Sequence, residues 1–108
     1  MAEEKGVVER IRKDMRMFDG SIAAVEGMLE EERGREGNVG EPKLRRMKNI
    51  IELAKMYRSD SESFLGKGDT DTSFSCISYA HGLLDSLREL LKGDVFENRE
   101  WKEEEQQG

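Results

Sequence analysis

Apolar residues recur along the first third of the chain at Val8, Ile11, Met15, Phe18, Ile22, Val25 and Leu29, at alternating spacings of three and four. That spacing places them on one side of a helix. Sustained over three heptads, it predicts one long helix over about 4–33 with a seam against a neighbouring helix. Gly20 and Gly27 fall inside this helix and weaken it slightly. The stretch RGREGNVGEP, 33–42, then breaks the pattern with three glycines, an asparagine and a proline.

Pro42 suits the first turn of a second helix over about 42–65. Its apolar positions, from Leu44 and Met47 through Ile50, Ile51, Leu53, Ala54 and Tyr57 to Phe64 and Leu65, cover roughly half the helix circumference. So wide a face predicts two neighbours, which makes this the central helix. GKGDTDTS, 66–73, is the next break, and Asp69, Thr70 and Asp71 can cap a third helix over about 71–92. Gly93 supplies its stop. The remainder is polar and acidic apart from Val95, Phe96 and Trp101. The expected architecture is all-α: an antiparallel up-down-up three-helix bundle with a long first helix. It forms one domain over 1–96, followed by an acidic, disordered tail over 97–108.

Charge narrows the function classes. A net charge of −6 argues against broad nucleic-acid binding unless the cations are clustered. One cluster exists. Lys43, Arg45, Arg46, Lys48, Lys55 and Arg58 stand against a single acidic residue, Glu52, over 43–58. Arg45, Lys48 and Lys55 are its candidate anion-binding residues. The plainer reading is an outer helix face paired with acidic stretches such as Glu30–Glu32 or Glu103–Glu105. Tyr57 is expected in the core, so no aromatic platform for bases interleaves with these cations. A single cysteine excludes an intrachain disulfide and a multi-cysteine zinc site, and fits a reducing compartment. No apolar run approaches the length of a membrane span, and MAEEKGVVER lacks the apolar core of a secretion signal. The expected location is the cytoplasm, and no cofactor or metal is implied.

The chemistry-bearing residues concentrate in SCISYAHGLLDSL, 75–87, which holds the only cysteine and the only histidine. On a helical wheel Cys76 lies in the middle of the leucine-rich face and reads as a small hydrophobe. His81 lies at the border of that face, four residues before Asp85, and Arg88 follows three residues later. Ser78 shares their side, but three groups along one helix lack the converging geometry of a nucleophilic triad. The expectation is an oriented His81–Asp85 pair on the helix surface. Phe74 points among these polar groups, and Gly82 leaves a notch for another helix. Phe74, Ser78, Tyr79, His81, Gly82, Asp85 and Arg88 therefore form a candidate functional or interface cluster.

FLGKGDTDTSFSCISYAHGLLDSL, 64–87, is similar to the signature of an archaeal family of helical proteins, domain of unknown function 357. The resemblance rests on Gly66, Gly68, Asp69, Tyr79, Ala80, His81, Gly82 and Asp85, and reaches the first helix only by pattern. It implies a short all-helical fold and an archaeal origin, and it brings no activity. A fainter likeness to the helical partners of minimal nucleotidyltransferases, some of them ribonucleases, lacks their arginine four to six residues before the histidine; Ser75, Cys76 and Ile77 stand there. The functional expectation is a self-associating, homodimeric, non-enzymatic interaction module, open to another protein partner. The alternatives are a small enzyme or RNA-processing factor using His81 and Asp85, or an anion or RNA binder on the second helix.

Overall fold

A computed structural model of the chain describes residues 2–34 and 40–92, with side chains from Lys5 onward. The described residues form three helices: α1 (Ala2–Gly34), α2 (Glu41–Gly66) and α3 (Thr70–Leu91). They pack on one another as a three-helix bundle. Each boundary lies within one or two residues of its expected place, the ordinary scatter of helix ends. Gly93, the domain boundary at 96, the acidic tail with Phe96 and Trp101, and most of the first loop lie outside the described residues.

The heptad stripe of α1 is the bundle's own seam. Ile11, Met15, Phe18, Val25 and Leu29 are buried, and Val8 and Ile22 pack half-buried against them. Their partners are Met47, Ile51, Ala54 and Leu65 of α2 and Ile77, Ala80, Leu84 and Leu87 of α3. Intramolecular packing therefore accounts for the stripe, with no need of a second copy. Ion pairs join Asp19 to Arg58 and Glu26 to Lys55. Partner numbers thus fall along α2 as they rise along α1.

The central helix is α3, not α2. α3 packs against both other helices, and the α1–α2 contact is the sparsest of the three. The wide apolar face of α2 is only partly used. Leu53 and Met56 are exposed, and Ile50, Tyr57 and Phe64 are half-buried. On α3 the buried arc centres on Ile77, Ala80 and Leu84, while Leu90 and Tyr79 remain about half exposed. Cys76 accordingly sits at the edge of the core, half-buried, not in its middle as expected, and Ile77 takes the central place. The helical wheel gives equal weight to apolar residues on a side that no described helix covers.

The α2–α3 corner is compact because its sequence meets two backbone requirements at once. Gly68 adopts φ +82°, a left-handed conformation open to glycine without a side-chain penalty. The Gly68 N–H then donates to the Leu65 carbonyl and the Asp69 N–H to the Phe64 carbonyl, a Schellman ending of α2. Asp69 is also the first cap of α3, its carboxylate accepting the Thr72 N–H at 3.1 Å. One residue thus closes one helix and opens the next.

Candidate functional site

The short corner brings α2 and α3 close enough for a contact that apolar periodicity does not reveal. Ser61 and Ser73 are both fully buried. The Ser61 hydroxyl donates to the Ser73 carbonyl at 2.7 Å, and the Ser73 hydroxyl donates to the Ser61 carbonyl at 2.7 Å. The two hydroxyl oxygens lie 3.0 Å apart. Small side chains permit the approach, and the reciprocal bonds satisfy both hydroxyls without water. A signal was present. Ser61 lies seven residues after Ala54 and four before Leu65, and Ser73 four before Ile77, so both fall in phase with the buried apolar positions.

The residues of the candidate cluster do not come together at one place. The His81 ring turns inward to α1, where Nε2 lies 2.8 Å from the Asp14 carbonyl oxygen. A carbonyl only accepts, so Nε2 carries a proton and donates it. The same imidazole meets the Phe18 ring edge-on, with centroids 5.9 Å apart and planes at 90°. His81 is thus engaged by two consecutive turns of α1. No hydrogen bond or ion pair among the described residues joins it to Asp85, so the expected His81–Asp85 pair is not formed. Intrahelical spacing permits such a pair, but the inter-helix acceptor takes the ring away from it. Asp85 and Ser78 are exposed, and Arg88 is half-buried without an ion pair to Asp85 among the described residues.

Phe74 also faces α1, with the Arg10 guanidinium 5.8 Å from its ring centroid. It remains 38% exposed, so the bundle covers it only in part. Tyr79 belongs to the other side of α3. It stacks on Tyr57 of α2, with centroids 4.4 Å apart and planes within 16° of parallel. Tyr57 is consequently at the rim of the core and in an aromatic pair, not sealed within the core as expected. Gly82 has open space where a side chain would begin, with nothing within 4 Å. No described helix occupies its notch.

Cys76 is deactivated by its surroundings. Burial pushes the thiol pKa up, and the negative charges of Asp60 and Asp69 add to the rise. A thiol held protonated is a poor nucleophile. Among the described residues no group of three His, Cys, Asp or Glu side chains could hold a metal ion.

The basic run on α2 divides in two. Arg58 holds Asp19 with two parallel bonds, Nε to Oδ1 and Nη2 to Oδ2, both 3.0 Å, and reaches Glu62 at 2.7 Å. Those bonds, Asp19's first, raise its pKa against the opposing effect of burial. Lys55 binds Glu26 at 2.9 Å and lies 3.5 Å from Glu52. Its pKa is likewise raised, chiefly by the Glu26 hydrogen bond. Lys55 is therefore committed to α1. Arg45 and Lys48 line a groove of about 220 Å³ with Leu29, Leu44 and Arg33, and the carboxylates Glu30 and Glu41 share its wall. That mixed lining gives the groove no single charge preference.

No described helix is long and apolar enough to cross a membrane. The model of a family described as Protein of unknown function (DUF357) matches residues 14–92, from the His81-binding turn of α1 to the end of α3. No curated protein and no solved structure matches the chain.

Proposed function

The chain belongs to the DUF357 family, and with no activity to inherit from it we propose a cytoplasmic, non-enzymatic interaction module that self-associates through the outer α2–α3 face. One observation carries this reading: the apolar stripe that α1 leaves uncovered. Ile50, Leu53 and Tyr57 follow heptad spacing on α2, and Tyr79, Leu83 and Leu90 do so on α3. The Tyr57–Tyr79 stack joins the two rows. Leu53 is 37% exposed, Tyr79 49% and Leu90 54%, which is much apolar surface for so small a bundle. Two adjacent heptad rows form the kind of groove that receives a further helix. The free thiol of Cys76 suits a reducing compartment.

An enzymatic reading draws little support. His81 spends its bonding on the backbone of α1, and Asp85 stands apart from it.

Sedimentation equilibrium of the full chain tests the proposal. The wild type should form a dimer, and Leu53→Glu with Leu90→Glu should give a monomer of unchanged helicity by circular dichroism. A wild-type monomer at every attainable concentration would overturn it.

A further inference from the structure

The outer row of α2 is complementary to itself. At heptad spacing it reads Lys43, Arg46, Ile50, Leu53, Tyr57 and Asp60: cations first, then aliphatic residues, an aromatic ring and a carboxylate. Lys43 and Asp60 lie symmetrically about the peptide between Ile51 and Glu52, and so do Arg46 and Tyr57, and Ile50 and Leu53. Lys43, Arg46 and Asp60 form no ion pair among the described residues. The cations on the α1 side of the same helix, Lys55 and Arg58, are both paired with carboxylates of α1. The outer row thus carries unpaired charge of opposite sign at its two ends, with apolar surface between.

Resting on the reading of this face as a self-association surface, we infer that two copies pair about a two-fold axis through that midpoint, with their α2 helices antiparallel. A two-fold contact brings residue i to j and j to i, so each end of the row meets the opposite end of its copy. Lys43 meets the partner's Asp60, the Arg46 guanidinium lies over the ring of the partner's Tyr57, and Ile50 packs on the partner's Leu53. A parallel pair would instead set lysine against lysine at one end and aspartate against aspartate at the other. α3 agrees with the same axis. Contact positions fall along α2 as they rise along α3, Ser61 meeting Ser73 and Tyr57 meeting Tyr79. At equal helical rise, the midpoint of the α2 row is level with about residue 84 of α3. Tyr79 and Leu90 lie symmetrically about the peptide between Leu84 and Asp85, as do Leu83 and Ser86. The axis that the charges of α2 require therefore also sets the exposed Tyr79 against the partner's Leu90, which is exposed as well.

Spin labels on the full chain measure the orientation directly. In Cys76→Ser protein, a label at the exposed position of Asn49→Cys sits near the axis, and one at the exposed position of Ser63→Cys sits beyond the end of the row. The antiparallel pair offsets the two position-49 labels by about 8 Å along the helices and the two position-63 labels by about 35 Å. A parallel pair offsets neither, so equal separations at the two sites in a dimer would overturn the inference and leave self-association standing. Charge exchange gives a second reading. Lys43→Asp and Asp60→Lys should each weaken the dimer about tenfold by sedimentation equilibrium, and the double variant should restore it. Circular dichroism checks that each variant keeps its helices. Single variants that dimerise as the wild type does, or a double variant weaker than both singles, would overturn the pairing. A wild-type monomer at every attainable concentration would overturn the pairing and self-association together.

Discussion

Ser61 and Ser73 exchange hydrogen bonds with each other's backbone across the α2–α3 interface, both at 2.7 Å and both fully buried. Each hydroxyl proton goes to the opposite carbonyl, which already accepts an N–H within its own helix. The pair sets how closely the two helices approach.

Replacing either serine with alanine should cost about 1 kcal/mol, the usual net value of one buried hydrogen bond. The double variant should cost less than the sum, because losing one bond loosens the approach on which the other depends. Exposed Ser63→Ala should change stability by less than about 0.5 kcal/mol. Urea denaturation of the four proteins provides the cycle. Two neutral single variants would show that the serines fill space without holding the helices.

His81 and Asp85 should behave as strangers. His81→Ala removes the bond to the Asp14 carbonyl and the edge contact with Phe18, and should cost about 2 kcal/mol or more. His81→Phe keeps a ring against Phe18 and should recover part of that loss. Asp85→Asn should stay within about 0.5 kcal/mol of wild type. A double-mutant cycle between positions 81 and 85 with a coupling as large as the His81→Ala effect would contradict the observed geometry.

These contrasts show what could be read along the chain and what could not. The α1 stripe was legible because seven apolar residues keep one phase, and all seven are buried or half-buried. The corner was legible because Gly68 and Asp69 are residue types with specific backbone roles. The partner of His81 was not, since i, i+4 spacing names neighbours on the same helix and says nothing of a carbonyl on another. Ser61 and Ser73 drew no notice as polar side chains, although both fall in phase with the buried apolar positions. Cys76 was misplaced for a related reason: the apolar arc of α3 serves a core on one side and open surface on the other. Sequence periodicity marks both without telling them apart.

Asp69 gives the fold an acid-side signature. Its hydrogen bonds with Thr72 hold the carboxyl below the ordinary carboxylate range, against a small opposing effect of burial. A depressed folded-state pKa contributes stability that is fully present above the unfolded pKa, near 4, and is lost as pH falls through the folded one. Asp69→Asn keeps an acceptor for the helix but carries no charge, so its stability should be flatter than wild type below about pH 4. Asp69→Ala should be less stable than wild type at neutral pH as well. Denaturant midpoints at pH 7 and pH 3 decide it; parallel pH dependence in wild type and Asn variant would remove Asp69 from the account.

Cys76 should alkylate slowly. With its pKa raised by burial and by Asp60 and Asp69, little thiolate forms near neutral pH. Iodoacetamide at pH 8 should modify native protein more slowly than protein unfolded in urea. Equal rates would mean that the thiol is neither sheltered nor shifted. Asp60→Asn should raise the native rate modestly, since Asp60 is the larger of the two charge contributions after burial.

The corner at Lys67–Asp69 also has a consequence in time. Because three residues join α2 to α3, bringing them together closes a small loop at little entropic cost, and the pairs Ser61–Ser73 and Tyr57–Tyr79 are near in sequence as well as in space. The anchors of α1 on α3 are far apart along the chain, as Asp14 and His81 are. Pairing of α2 with α3 is therefore expected to precede docking of α1, and the native protein should open in the reverse order. Native-state hydrogen exchange would record this as earlier release of amides in α1 than in the buried centre of α3. If α1 proved to be the slowest helix to exchange, the long helix and not the hairpin would be the kinetic scaffold of the bundle.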